Sequence, residues 1–166
     1  MYEEAMHAMA KHIELSTSLQ QREFLHLKKT FEYWTQADFV ALDAIGAEQE
    51  TEVTDYLKRV IIDSVEQKMK FTLHLLEDYL LVAQPEVYMN VFYSTFKAYI
   101  CNMLHEYGFN ERNYAGEAKN LLEQAFEQGS ELGPTAIPRL EANLEYASIL
   151  AKDETKREQA KKILSR

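Results

Sequence analysis

The sequence predicts an all-α fold, an array of antiparallel helices, on three observations. Apolar residues recur at helical spacing almost throughout, no convincing stretch outside them alternates with period two, and only five Gly and three Pro punctuate the chain. Few turn formers mean long uninterrupted helices rather than sheets with many tight turns.

Tyr2 to Leu15 reads as a short first helix. Ser18 with Gln21 makes a capping box for a second, running to about Ala44, after which Gly46 breaks the pattern. The third is the clearest, from Thr51 to about Val82. Val53, Leu57, Val60, Ile61, Val65, Met69, Leu73, Leu76, Tyr79 and Leu80 form one stripe along it, and a helix of some 30 residues is about 45 Å long. Pro85 opens the fourth, whose buried face is marked by Tyr88, Val91, Phe92, Phe96, Tyr99, Met103, Leu104 and Tyr107. After Tyr107-Gly108 a fifth spans roughly Glu111 to Leu132 and closes at Gly133-Pro134. Thr135 caps a sixth with Pro138 in its first turn, carrying Leu140, Leu144, Ile149 and Leu150. Asp153 to Thr155 starts a seventh through Ile163 and Leu164. Connections this short place consecutive helices antiparallel, because a few residues cannot return the chain to the far end.

With 166 residues and 46% apolar content, the chain is long enough for one domain with a continuous core, read as residues 1–166. The balance of 18 Lys and Arg against 27 Asp and Glu leaves a net charge of −9, which repels a phosphate backbone and argues against nucleic acid as a partner. No run of 18 or more apolar residues occurs and the N-terminus lacks the pattern of a signal peptide, so the expectation is a soluble, cytoplasmic protein without a membrane partner. Cys101 is the only cysteine and lies in an apolar helical stretch, which excludes an internal disulfide or thiolate cluster and makes it a small core residue.

From Val91 the chain reads VFYSTFKAYICNMLHE and, some twenty residues later, LLEQAFEQGSELGPTAIPRLEANLEYASIL. These stretches resemble the Val-Phe-Tyr helix, the Glu-Ala-Phe helix and the Pro-Thr-His-Pro-Ile-Arg-Leu turn of the 14-3-3 family. That turn here is Pro134-Thr135-Ala136-Ile137-Pro138-Arg139-Leu140. Order and spacing match together, and upstream YEEAMHAMAKHIELSTSLQQREFL resembles the second helix and the start of the third. The resemblance covers nearly the whole chain. The family's first helix would precede Met1 and its ninth would follow Arg166, as in a short form or an incomplete sequence.

The resemblance implies a protein-binding adaptor that acts on client proteins as a homodimer, through the helices from Tyr2 to Val82, and needs no cofactor and no catalysis. It also implies recognition of phosphoserine or phosphothreonine by a basic cluster, since a phosphate with nearly two negative charges wants Arg forks and Lys ammoniums. Residue by residue that cluster is depleted. Anchored on Arg22, the pocket Lys falls on Thr30 and the pocket Arg on Ala37; a slip one way gives Lys29 and Gln36, the other way Phe31 and Asp38. Anchored on Val91-Phe92-Tyr93, the phosphate-binding Arg-Tyr pair becomes Asn102-Met103, while a Lys is retained as Lys97. Anchored on Arg139-Leu140, the Asn that holds the ligand backbone becomes Glu145 beside the groove leucine, Leu144. With hydrogen bonds to charged groups worth about 1.5–3 kcal/mol each, losing three weakens phosphopeptide binding on the order of a thousandfold or more.

Two other readings compete. The pair from Tyr114 to Leu150, with Ala118, Leu122, Ala125, Phe126 and Pro134, looks somewhat like one unit of a tetratricopeptide-like peptide-binding module. Glu4-x-x-His7 and Glu23-x-x-His26 are Glu-x-x-His pairs of the kind that build ferritin-like di-iron sites, with Glu66 and Glu106 as loose candidates for the remaining carboxylates. Solvated helix faces explain the same pairs in a Glu-rich chain. His12, His74 and His105 show no ligand spacing, and the aromatic stripe of Phe92, Phe96, Tyr99 and Tyr107 reads as core packing.

Overall fold

The computed structural model describes residues 1–15, 20–82 and 86–165, with the backbone alone at 20–21 and 79–82. The fold is all-α. Seven α-helices and no strand occur among the described residues: α1 Tyr2–Leu15, α2 Gln20–Gly46, α3 Glu52–Val82, α4 Val87–Glu106, α5 Tyr114–Gly129, α6 Ile137–Ala151 and α7 Arg157–Leu164, with one 3₁₀ turn, Glu154–Lys156, before α7. No helix among them is long and apolar enough to cross a membrane. The chain divides into two compact units, Met1–Val82 and Ala83–Arg166.

In the first unit α1, α2 and α3 pack pairwise. Side-chain pairs give the directions: Met9 meets Thr30 and Tyr2 stacks on Trp34, while Asp38 meets Ser64 and Trp34 meets Phe71. Sequence numbers rise on one helix as they fall on the other, so both pairs are antiparallel. The core is made by Met6, Ala10 and Ile13 of α1, Phe24, Leu27 and Phe31 of α2, and Val65, Met69, Leu73 and Leu76 of α3. Buried Thr35 and Thr72 satisfy their hydroxyls on Phe31 O and Lys68 O of their own helices, both at 2.9 Å.

The stripe expected along the third helix is buried only in its second half. Val53, Leu57 and Val60 are exposed, and so is Tyr56 beside them. The reason is length: α1 has 14 residues against 27 and 31 for its neighbours. It covers the half where α2 begins and α3 ends, and two helices alone cannot bury both faces of the other half. At the start of α3, Thr51 and Thr54 cap reciprocally, Thr54 N donating to Thr51 Oγ1 at 3.2 Å and Thr51 N to Thr54 Oγ1 at 2.8 Å. The Ser18–Gln21 capping box, the Tyr79 and Leu80 side chains and Pro85 lie outside what the structure describes.

In the second unit α4 is central, packed against both α5 and α6. Its sequence is apolar nearly all round and it is buried accordingly, with Val91 through Phe96, Ala98, Ile100, Cys101 and Leu104 all buried. Val91, Ala125 and Ala142 meet where α4, α5 and α6 converge, and Leu132 closes the cluster. Small side chains there let the three helices approach closely. Gly108, at φ +86°, ends α4: Phe109 N donates to Leu104 O and Gly108 N to His105 O, both at 3.0 Å. That pairing satisfies two carbonyls left over at the helix end and needs a left-handed residue.

Three sequence expectations are corrected here. The fifth helix is shorter at both ends than Glu111–Leu132, because the Asn113 carboxamide accepts from Gly116 N at 3.0 Å and fixes the start at Tyr114, while i→i−3 bonds wind Ser130 to Leu132 into turns. Thr135 does not cap the sixth; Ala136 occupies that place without a side-chain bond, and Pro138 brings no N–H that needs one. The buried face of α6 is Pro138, Ala142, Asn143, Tyr146, Ala147 and Leu150, which leaves Leu140 and Leu144 exposed.

Candidate functional site

The seven positions marked by the resemblance fall in both units. In the first, Thr30 is half-buried in the α1–α2 seam, its hydroxyl donating to His26 O at 2.8 Å and touching Met9 Sδ at 3.9 Å. Ala37, two turns on, is exposed. The alternative registers fare differently: Lys29 pairs with Glu32 at 2.7 Å, Gln36 is exposed, Phe31 is sealed in the core, and Asp38 is held by Lys68. Phe31 is therefore no groove residue.

In the second unit Lys97, Asn102 and Met103 are half-buried on α4, and Glu145 is half-buried on α6 next to Leu144, which is 59% exposed. Asn102 Nδ2 donates to Glu106 Oε1 at 3.2 Å, and Glu106 is also paired with Lys152. Asn102 is thus engaged with a carboxylate, the opposite of what a phosphate site offers. Along α6, Ile137, Leu140 and Leu144 are all exposed at i, i+3, i+7, an apolar ridge facing solvent.

The residues of the di-iron reading do not come together. Glu23 approaches His12 at 3.6 Å rather than His26, Glu4 lies near the N-terminal ammonium, Glu66 binds Lys70 and Glu106 binds Lys152. Among the described residues no group of three or more His, Cys, Asp or Glu side chains is placed to hold a metal ion.

One feature escaped the sequence. Where α5 ends and α6 begins, a cavity of about 270 Å³ is lined by Phe126, Glu127, Ser130, Arg139 and Asn143. The backbone of Arg139 runs close to Gly129, and its Nη1 donates to Leu132 O at 2.8 Å, which pins the guanidinium across the turn. Ser130 Oγ donates to Glu127 O at 2.6 Å. Phe126 packs on Tyr146 with ring centroids 5.4 Å apart, and Tyr146, beside Glu123, has its hydroxyl pKa raised by burial and by that carboxylate. Asn143 is only 7% exposed, yet among the described residues its carboxamide has no hydrogen-bond partner. Only a polar residue on an otherwise small-residue face, Ala142-Asn143 followed by Tyr146-Ala147, hinted at it in sequence.

No family model matches the chain, and no curated protein matches it.

Proposed function

We propose that this chain is a 14-3-3-like protein-binding adaptor, without catalytic activity, in which recognition of phosphorylated residues is weakened or lost. The observation that carries the reading is the α6 ridge. Ile137, Leu140 and Leu144 stand exposed on a helix whose sequence bears the family-like turn, and Leu144 is the position the resemblance assigns to the ligand groove. Three consecutive exposed apolar anchors at helical spacing are suited to a partner segment rather than to water. The positions that would grip a phosphate hold Thr30, Ala37, Asn102, Met103 and Glu145, so binding rests on apolar contact. Self-association is part of the proposal: Val53, Tyr56, Leu57 and Val60 form an exposed stripe on α3, suited to a two-fold contact that doubles the client sites.

The test is affinity capture from untreated and phosphatase-treated lysate, with the Leu140→Glu/Leu144→Glu variant as the control. The same clients are expected in both lysates and to be lost from the variant. Clients captured equally by the variant, or none captured at all, would remove the α6 ridge as the binding surface.

A further inference from the structure

We infer that the cavity between the end of α5 and the start of α6 binds a peptide-type amide, with Asn143 reading the amide and Phe126 receiving the adjoining apolar side chain. The inference deepens the adaptor reading and rests on it only for the identity of the ligand as part of a protein. The site itself rests on geometry. Asn143 is buried, lines the cavity and has no hydrogen-bond partner among the described residues, so one carboxamide donor pair and one acceptor are committed to nothing else.

The charges around it select the ligand class. Arg139 spends Nη1 on Leu132 O and keeps its other N–H donors, which disfavours a cation. Glu127 supplies a carboxylate on the same wall, which disfavours a phosphate or a carboxylate. A neutral group with one donor and one acceptor meets neither repulsion. An extended peptide residue is that group: its own carbonyl accepts from Asn143 Nδ2 while its own N–H, on the same edge of the chain, donates to Asn143 Oδ1. Phe126 and the methylene stem of Arg139 supply the apolar part of the wall. At about 270 Å³ the cavity falls just below the usual range for drug-sized ligands, and one side chain with its peptide group suits it better than a larger molecule.

The experiment titrates the ¹⁵N-labelled full chain with N-acetyl-leucine N′-methylamide, following the Asn143 side-chain amide by NMR. N-acetyl-leucine and inorganic phosphate serve as comparison probes. A saturable shift centred on Asn143 is expected with the blocked amide, at least about tenfold weaker with either anion, and lost in Asn143→Leu. Because Asn143→Leu alters a buried position, the exposed Glu127→Gln provides a second variant. It should strengthen N-acetyl-leucine binding by about tenfold, closing its gap to the blocked amide. A wild-type preference for either anion, a shift that does not saturate, or equal binding by a folded Asn143→Leu protein would overturn the inference. Failure here with successful client capture removes the cavity alone, whereas probe binding with failed capture removes the adaptor reading and leaves the amide site standing.

Discussion

The ammonium of Lys68 on α3 lies 2.5 Å from the Asp38 carboxylate and 2.9 Å from the carbonyl oxygen of Trp34, both on α2, and 5.6 Å from the centre of the Trp34 ring. Each charged side chain of the pair is only 17% exposed. One lysine thereby ties the two long helices together just past the point where α1 stops covering them. Lys68→Met should destabilise the protein by about 2 kcal/mol, because it leaves a mostly buried carboxylate without its counter-charge. Adding Asp38→Asn should recover part of that loss. Urea denaturation of the two variants checks the sign and the recovery.

Two glycines should respond oppositely to alanine. Gly108 sits at φ +86°, where a side chain is strained, so Gly108→Ala should cost about 1–2 kcal/mol. Gly129 ends α5 in helical conformation, and a β-carbon there would meet the nearest atom, Arg139 Cα, at an ordinary 3.6 Å. Gly129→Ala should therefore stabilise by about 0.4–1 kcal/mol. Thermal midpoints moving in the same direction would refute this account of the two helix ends.

Tyr93 on α4 is 5% exposed, and burial pushes its hydroxyl pKa up to about 12 from the ordinary 10.0. A raised pKa means the folded state favours the protonated phenol. The resulting stability is complete below pH 10 and is lost as the pH rises through about 12. Tyr93→Phe should flatten the alkaline limb of the stability profile in that window and leave neutral pH little changed. Asp153 behaves with the opposite sign: its carboxylate accepts from the hydroxyl and N–H of Thr155, which lowers its pKa, so its help to the 3₁₀ turn disappears only as the pH falls below the ordinary 3.8.

The exposed α3 stripe makes self-association measurable. Light scattering at tens of micromolar should give the mass of a dimer, and Leu57→Glu with Val60→Glu should halve it by placing charges on a face that has to be dry in the contact. A monomeric mass for the unmodified chain would sink the proposed two-fold contact.

Helical periodicity located every helix among the described residues, and Cys101, read as a core residue, is fully buried. It marks which face of a helix is apolar, however, and not how far a neighbour extends to cover it. Val53, Leu57 and Val60 carry the same pattern as Val65 and Met69, yet only the latter are buried. On α6 the pattern pointed to Leu140 and Leu144, while close approach of three helices selected the smaller Ala142 and Ala147 for the interior. Asn143 lay beyond the sequence for a related reason: its missing partner and the cavity at its side exist only once α5 and α6 are packed. The binding positions named from the resemblance are surface or half-buried, apart from any pattern that packing imposes, so their chemistry rather than their burial has to be tested.

The central claim is that an adaptor surface persists here without a working phosphate pocket. Isothermal titration of a phosphoserine peptide and its unphosphorylated twin tests it most directly. Lys97 alone cannot offset the desolvation of a doubly charged phosphate that Glu145 repels, so the two peptides should bind equally. In a variant carrying Asn102→Arg, Met103→Tyr and Glu145→Asn together, a salt-sensitive preference for the phosphorylated peptide should appear. Submicromolar, phosphate-selective binding by the unmodified chain would contradict the claim.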